Sequence, residues 1–246
     1  MRSSRRRLAT VLGLFVASLF CVALVVVRNL HTGNVNFRYL IWNLFLAWIP
    51  FALAVFVYDR WRRRGGGLPL LFLGGLWLLF FPNAPYIATD FVHLQHDPLS
   101  PYWYDAVTIA AFAWMGVLLG FASLYLMQTV VRQWRGAIAG WIFAFVAIAL
   151  GSLGIYLGRF LRLNSWDALE HPSVLPRILH SVARDPFAYQ EAIAVTVLFT
   201  VALSFAYFLL YNFAAVGLEL DTERCFGPAP RDQSLRPVSA GRLRYN

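Results

Sequence analysis

Titratable side chains gather in one short stretch, Phe81 to Asp97, which reads FPNAPYIATDFVHLQHD and contains no Arg or Lys. If the stretch after Pro82 is helical, Asp90, His93 and Asp97 share one face at positions i, i+3 and i+7. Carboxylate and imidazole groups bind zinc and other divalent ions, and they also serve as general acids and bases. Three interpretations follow: a divalent-metal site, a metal-free acid/base or hydrogen-bonded network, and the wet polar face of a surface helix.

Two arginines form a second candidate site in the stretch Gly151 to Asp167, GSLGIYLGRFLRLNSWD. Arg159 and Arg162 share a helical face with Ser152, so both guanidinium groups project from the same side. A pair of Arg at the lipid boundary could clamp a phosphate through bidentate hydrogen bonds. The same pair could instead form ion pairs with nearby Asp residues, or extend toward the headgroups with their aliphatic stems in lipid.

Taken together, the two stretches predict one cleft in which the acids, the histidine and the arginines converge. The predicted catalytic residues are Asp90, His93 and Asp105. The predicted substrate-binding residues are Arg159, Arg162, Asn164, Asp167 and Asn83. A divalent metal, if one is bound, has Asp90, His93 and Asp97 as its candidate ligands.

The composition determines the class of protein that must position these residues. The chain has 246 residues, of which 59% are hydrophobic and only 13% are charged, whereas a soluble domain has roughly 25% charged residues. The formal net charge of +9 could suggest nucleic acid, but the basic residues lie in short connections between apolar runs and form no basic face. We therefore expect the lipid bilayer to be the partner, with anionic lipid headgroups as a further one, and exclude nucleic acid.

Six apolar runs are long enough to cross a bilayer core of about 30 Å, which takes roughly 20 residues. They are residues 8–27, 40–58, 68–88, 104–131, 137–156 and 192–217. The sequence thus predicts an all-α polytopic membrane protein with six transmembrane helices in a single domain, residues 1–218. Pro82 should kink the third helix, and apolar and polar residues alternate with helical spacing from Pro172 to Arg184, which predicts an amphipathic helix on the outer surface.

The distribution of arginine predicts the orientation in the membrane. All 21 basic residues are Arg, and 15 of them lie before residue 8, between 59 and 65, between 131 and 136, and after 218. Because cytoplasmic loops carry the excess of positive residues, both termini should be cytoplasmic and the candidate site should lie on the other side. The tail, residues 219–246, has scattered Arg and Pro and is predicted to be disordered and cytoplasmic.

Several longer motifs resemble a known family. They are IWNLFLAWIP, FPNAPYIATDFVHL, the step Trp103-Tyr104-Asp105, and GIYLGRFLRLNSWD. Together they resemble a bacterial family of multi-pass membrane proteins catalogued as domain of unknown function 1361, over about Leu40 to Leu218. The resemblance implies a multi-pass protein of the bacterial cytoplasmic membrane, and it implies no activity.

Three classes of function are compatible with these residues. The first is a membrane-embedded enzyme that acts on a lipid-linked or anionic headgroup substrate at the outer leaflet. The second is a transporter or a lipid-binding protein that uses the same cluster for recognition. The third is an accessory or assembly subunit whose polar motifs hold helices together. Transporters often carry inverted repeats, and the two halves of this chain show none.

Overall fold

The computed structural model describes residues 2–94, 100–161 and 190–226, together with Glu170 and Arg184. In these ranges the chain forms seven α-helices and one 3₁₀ helix, and no strand. The α-helices are α1 (Arg2–Thr32), α2 (Arg38–Arg64), α3 (Leu68–Phe80), α4 (Asn83–Tyr86), α5 (Tyr102–Arg135), α6 (Ala137–Phe160) and α7 (Gln190–Phe226). The 3₁₀ helix, Ile87–His93, follows α4 directly.

Six of the helical stretches are long and apolar enough to cross a membrane. They are Arg7–Thr32, Arg38–Arg63, Leu68–His93, Tyr102–Arg135, Ala137–Phe160 and Gln190–Val216. The predicted all-α, six-helix membrane fold is confirmed. The helices extend beyond the predicted apolar runs because polar and charged residues at the ends continue the helical hydrogen bonding.

The fourth span, α5, lies at the centre of the packing. It packs against α1, α2, α4, the 3₁₀ helix and α6. Its residues Phe112 and Leu119 are fully buried in a core that also contains Leu40 and Ala47 of α2 and Val25 of α1. The helices that carry the candidate site residues are therefore held against one common helix.

The third span changes its hydrogen-bonding pattern at Pro82, the residue at which a kink was predicted. The Phe81 amide still donates to the Trp77 carbonyl at 2.8 Å, but the Ala84 amide donates only three residues back, to Phe81, at 3.2 Å. Pro82 has no N–H to donate, so the regular ladder is interrupted while the backbone stays in the right-handed helical region. After α4 the chain tightens into the 3₁₀ helix, in which residues i and i+3 lie one above the other. Asp90 and His93 are such a pair.

Four glycines of α5 and α6 form a seat for this interrupted segment. A Cβ atom on Gly154 would lie 2.5 Å from Pro82 Cγ, and one on Gly151 would lie 2.8 Å from Phe81 Cε1. On α5, a Cβ on Gly116 would collide with the Ala84 carbonyl oxygen, and one on Gly120 would lie 3.2 Å from Ala84 Cβ. The small faces therefore allow the backbone of residues 81–84 to pack directly against two helices.

The chain divides into two compact units, residues 1–204 and 205–246. The last helix, α7, continues to Phe226, past residue 218 where the domain was predicted to end. The helix formers Glu219, Leu220 and Glu223 favour this extension, and Gly227 and Pro228 follow it in the sequence. The predicted amphipathic segment, Pro172 to Arg184, lies outside the described residues apart from Arg184.

Candidate functional site

The centre of the candidate site is the buried carboxylate of Asp90, whose side chain is 1% exposed. Asn43 of α2 donates a hydrogen bond from Nδ2 to Asp90 Oδ2 at 2.9 Å. On the other oxygen, Arg159 of α6 places Nη1 3.4 Å from Oδ1. A buried charge is tolerated only when it is paired and hydrogen-bonded, and Asp90 obtains these partners from two different helices.

Arg159 connects the end of α6 to the 3₁₀ segment through several contacts. Its Nη1 lies 3.2 Å from the Tyr86 hydroxyl, and its Nη2 donates to the carbonyl oxygen of Thr89. The guanidinium carbon also lies 5.5 Å from the centre of the Tyr86 ring. Arg159 is in the last turn of α6, where the helix dipole favours a positive charge. Its side chain keeps 15% of its surface exposed, so Arg159 is held in place but is not fully enclosed.

His93 completes the cluster on its exposed side. Its Nε2 lies 3.1 Å from Arg159 Nη1. A guanidinium nitrogen can only donate, so Nε2 is the acceptor in this contact. The His93 ring also contacts Tyr39 of α2 edge to face, with ring centres 5.3 Å apart. His93 thus places an exposed imidazole next to the guanidinium.

Asp105 belongs to a separate ion pair and does not contact Arg159. Arg28 of α1 donates from Nε to Asp105 Oδ1 at 2.7 Å and from Nη2 to Oδ2 at 3.0 Å, and Ser100 donates to Oδ1 at 2.7 Å. Both charged side chains are 2% exposed. Asp105 lies in the first turn of α5, where the helix dipole stabilises a negative charge. This buried pair fixes α1 to α5 and is closed to solvent.

An aromatic bridge connects the two ion pairs. The Arg28 guanidinium lies 4.1 Å from the centre of the Phe37 ring, and that ring stacks on Tyr39 with centres 6.1 Å apart. Tyr39 in turn contacts His93. The two ion pairs are therefore neighbours across Phe37 and Tyr39, and we call the end of the bundle that carries them the Arg159 end.

The remaining predicted residues have different outcomes. Asn83 donates from Nδ2 to the Phe80 carbonyl oxygen at 3.1 Å, across the interruption at Pro82. Arg162, Asn164, Asp167 and Asp97 lie outside the described residues, so their roles stay predictions. Sequence reasoning left Asn43, Tyr39, Tyr86 and Arg28 out of the site. Two of them carried a signal in the sequence: Asn43 is a polar residue within an apolar run, and Tyr39 lies one helical turn before it.

The groups around Asp90 and His93 suit an anionic ligand better than a metal cation. Among the residues that the structure describes, no group of three or more His, Cys, Asp or Glu side chains could hold a metal ion. The Arg159 guanidinium lies within 3.1 Å of His93 and 3.4 Å of Asp90, where its charge would repel a cation. The predicted metal site, which includes Asp97, stays a prediction.

Comparison with known proteins gives one family. No curated protein and no solved structure matches this chain. The family model described as "Protein of unknown function (DUF1361)" matches residues 42–207, a range that contains Asn43, Asp90, His93 and Arg159 and begins after Arg28 and Tyr39. This multi-pass membrane protein therefore belongs to the family of proteins of unknown function DUF1361.

Proposed function

We propose that this protein binds the anionic headgroup of a lipid, or of a lipid-linked substrate, through Arg159 and His93 at the extracytoplasmic face of the bacterial cytoplasmic membrane. One observation carries the proposal: Arg159 is held by the buried Asp90 carboxylate yet remains partly exposed, next to an exposed imidazole. The shared ligand chemistry is a phosphoryl group, which a guanidinium binds through two parallel hydrogen bonds.

The charge arrangement supports an anionic ligand although the ion pair itself is neutral. The Asp90 side chain is 1% exposed and faces Asn43 and Arg159, whereas the Arg159 side chain is 15% exposed. A ligand that approaches from the surface therefore meets the positive partner of the pair before the negative one, together with the exposed ring of His93. Preorganised dipoles of this kind bind anions without a net positive charge on the site.

The position in the membrane also supports a headgroup as the ligand. Arg159 is in the last turn of α6, and His93 ends the third span, so both lie at the end of a helical span. The excess of Arg lies at the opposite helix ends, and by the positive-inside rule this supports an Arg159 end outside the cytoplasm. Headgroups of the outer leaflet are found at this depth.

The buried face of α5 argues against a transport path as the main function. Between Thr108 and Ser123, its buried residues are apolar, among them Phe112, Met115 and Leu119. At 1.5 Å per residue this apolar section is about 22 Å long. The described part of α5 therefore gives a charged substrate no polar path across the bilayer, and binding at one face is favoured.

Thermal unfolding in a non-ionic detergent tests the proposal. Short-chain phosphatidylglycerol should raise the unfolding midpoint by several degrees, because a ligand that binds only the folded state stabilises it. Short-chain phosphatidylcholine, whose phosphate is neutralised by choline, should raise it much less. Inorganic phosphate at the same concentration tests whether the phosphoryl group suffices without the lipid.

A paired variant separates binding from folding. The double substitution Asp90→Asn and Arg159→Gln removes both charges together and leaves no buried charge unpaired, so it should fold and lose the phosphatidylglycerol effect. Arg38→Gln is the matched control, because Arg38 is an exposed arginine at the same end of α2 as Tyr39. Equal stabilisation by both lipids, or full stabilisation of the double variant, would refute headgroup binding.

Catalysis on the bound headgroup is the second candidate function, and the exposed imidazole beside Arg159 favours it. In this reaction water attacks the phosphorus and the P–O bond to the headgroup breaks, while the His93 imidazole takes the proton from the water and passes it to the departing headgroup oxygen. His93→Asn should then abolish any release of the headgroup from short-chain phosphatidylglycerol while the lipid-induced stabilisation persists. Absence of headgroup release by the wild type would remove this candidate and leave binding intact.

A further inference from the structure

The Tyr39 hydroxyl is a buried polar group that the cluster leaves unused. Its oxygen exposes less than 1 Å² of surface and has no hydrogen-bond partner among the described residues. A buried hydroxyl without a partner is destabilising, because its hydrogen bonds to water are lost and not replaced.

Tyr39 lies one helical turn from Asn43 and faces the same segment. The two residues are at i and i+4 on α2, so their side chains share one face. Asn43 contacts Asp90, and Tyr39 contacts His93, which lies directly over Asp90 in the 3₁₀ helix. Two contacts, Asn43 with Asp90 and Tyr39 with His93, therefore join α2 to the 3₁₀ helix one above the other.

The Asp90–Arg159 contact is loose enough to be exchanged. At 3.4 Å it is longer than the roughly 2.7–2.9 Å of a charge-assisted hydrogen bond, whereas the Arg28–Asp105 pair reaches 2.7 Å. The Tyr39 ring contacts His93, the i+3 neighbour of Asp90 in the 3₁₀ helix. A hydroxyl without a hydrogen-bond partner therefore lies in the same cluster as a carboxylate whose guanidinium partner is held at long range.

We propose that Tyr39 is a positioning residue of the headgroup site: when an anionic ligand draws Arg159 away from Asp90, the Tyr39 side chain shifts toward Asp90 and its hydroxyl donates a hydrogen bond to the carboxylate in place of Arg159. The inference rests on the proposed function for its ligand, but the exchange itself requires only that Arg159 leaves Asp90. The hydroxyl is unsatisfied in the free protein and satisfied in the bound protein, so Tyr39 lowers the free-energy cost of releasing Arg159.

A double-variant cycle tests the exchange without any ligand. Tyr39→Phe removes only the hydroxyl and keeps the ring contacts with Phe37 and His93. In the wild-type background it should leave the unfolding midpoint unchanged or raise it, because an unsatisfied group is removed. In the Arg159→Gln background it should lower the midpoint by a few degrees, because Asp90 then depends on that hydroxyl. If Arg159→Gln does not fold, Arg159→Lys, which lacks the guanidinium fork, provides the second background.

Tyr104, a tyrosine at the same end of the bundle whose hydroxyl already has a hydrogen-bond partner, serves as the control. The Tyr104 hydroxyl donates to the Leu24 carbonyl oxygen at 2.9 Å, so Tyr104→Phe should lower the midpoint equally in both backgrounds. An equal effect of Tyr39→Phe in both backgrounds would overturn the inference, because a merely structural role is independent of Arg159.

Adding short-chain phosphatidylglycerol separates this inference from the proposed function. With lipid, the rise in midpoint should be smaller for Tyr39→Phe than for the wild type. If the effect of Tyr39→Phe on the midpoint depends on the Arg159 background but the lipid does not stabilise the wild type, headgroup binding is refuted and the Tyr39 exchange is retained. If the lipid stabilises the wild type but Tyr39→Phe has the same effect in both backgrounds, headgroup binding is retained and the Tyr39 exchange is refuted.

Discussion

Charged side chains within membrane-spanning helices are costly unless they find partners inside the protein. Within the described residues, two acids are buried and both meet that requirement with an arginine from another helix: Asp90 pairs with Arg159, and Asp105 pairs with Arg28. The two pairs differ in access, because Arg159 is partly exposed whereas Arg28 is closed to solvent. This difference makes the first pair a candidate binding site and the second a structural link.

The Asp90–Arg159 pair should cost more when one partner is removed than when both are neutralised. Asp90→Ala leaves the guanidinium without its carboxylate, and we expect a loss of about 3 kcal/mol in unfolding free energy. The double substitution Asp90→Asn and Arg159→Gln should recover most of this loss. Unfolding in mixed dodecyl maltoside and SDS micelles measures both. A double variant that is less stable than Asp90→Ala would contradict the pairing.

The Arg28–Asp105 pair should depend on the fork geometry of arginine. Arg28→Lys keeps the charge, but an ammonium cannot reproduce two parallel hydrogen bonds in the same geometry. We expect a loss of about 2 kcal/mol, the size of one hydrogen bond to a charged group. Arg38→Lys, at an exposed position of the same end, should have no measurable effect in the same assay. Equal stability of both variants would contradict a structural role for Arg28.

For individual residues, the sequence could predict which side chains are polar but not which of them contact one another. Asp90, His93 and Arg159 stood out because each is polar at the edge of an apolar run, and the structure brings these three together. Asp105 was predicted to join them, yet it pairs with Arg28. Spacing along one helix predicts a shared face, whereas the choice of partner depends on which helices are neighbours, and spacing does not encode that.

At the scale of the helix, the interrupted third span determines how the site is presented. Pro82 ends the regular ladder, and the following 3₁₀ helix places Asp90 and His93 one above the other. The interruption was predictable because proline lacks an N–H. The 3₁₀ geometry was not predictable in the same way, because it is formed where the chain packs against α5 and α2, and local sequence does not encode such tertiary contacts.

Filling the glycine seat should therefore disturb the site. Gly154→Ala places a methyl group against Pro82, and overpacking of this kind costs about 1–3 kcal/mol. Gly75→Ala in α3 is the matched control, because nothing lies within 4 Å of its added Cβ and alanine favours a helix. Unfolding in mixed micelles should show destabilisation for Gly154→Ala only. Equal stability of the two variants would contradict direct packing of Pro82 on α6.

At the scale of the whole molecule, the six spans followed from the length and apolarity of the runs, since a bilayer of fixed thickness constrains both. The orientation rests on the Arg distribution alone. A green fluorescent protein fused after Asn246 should fluoresce, because it folds in the cytoplasm, and alkaline phosphatase at the same position should be inactive. An active phosphatase fusion would place the Arg159 end on the cytoplasmic side.

The central claim, that Arg159 recognises an anionic headgroup, is tested most directly by lipid retention. Native mass spectrometry of protein exchanged into equimolar phosphatidylglycerol and phosphatidylcholine measures which lipid stays bound. We expect the wild type and Arg38→Gln to retain phosphatidylglycerol preferentially, and the Asp90→Asn, Arg159→Gln double variant to lose the preference. Equal retention of the two lipids by the wild type, or an unchanged preference in the double variant, would contradict the claim.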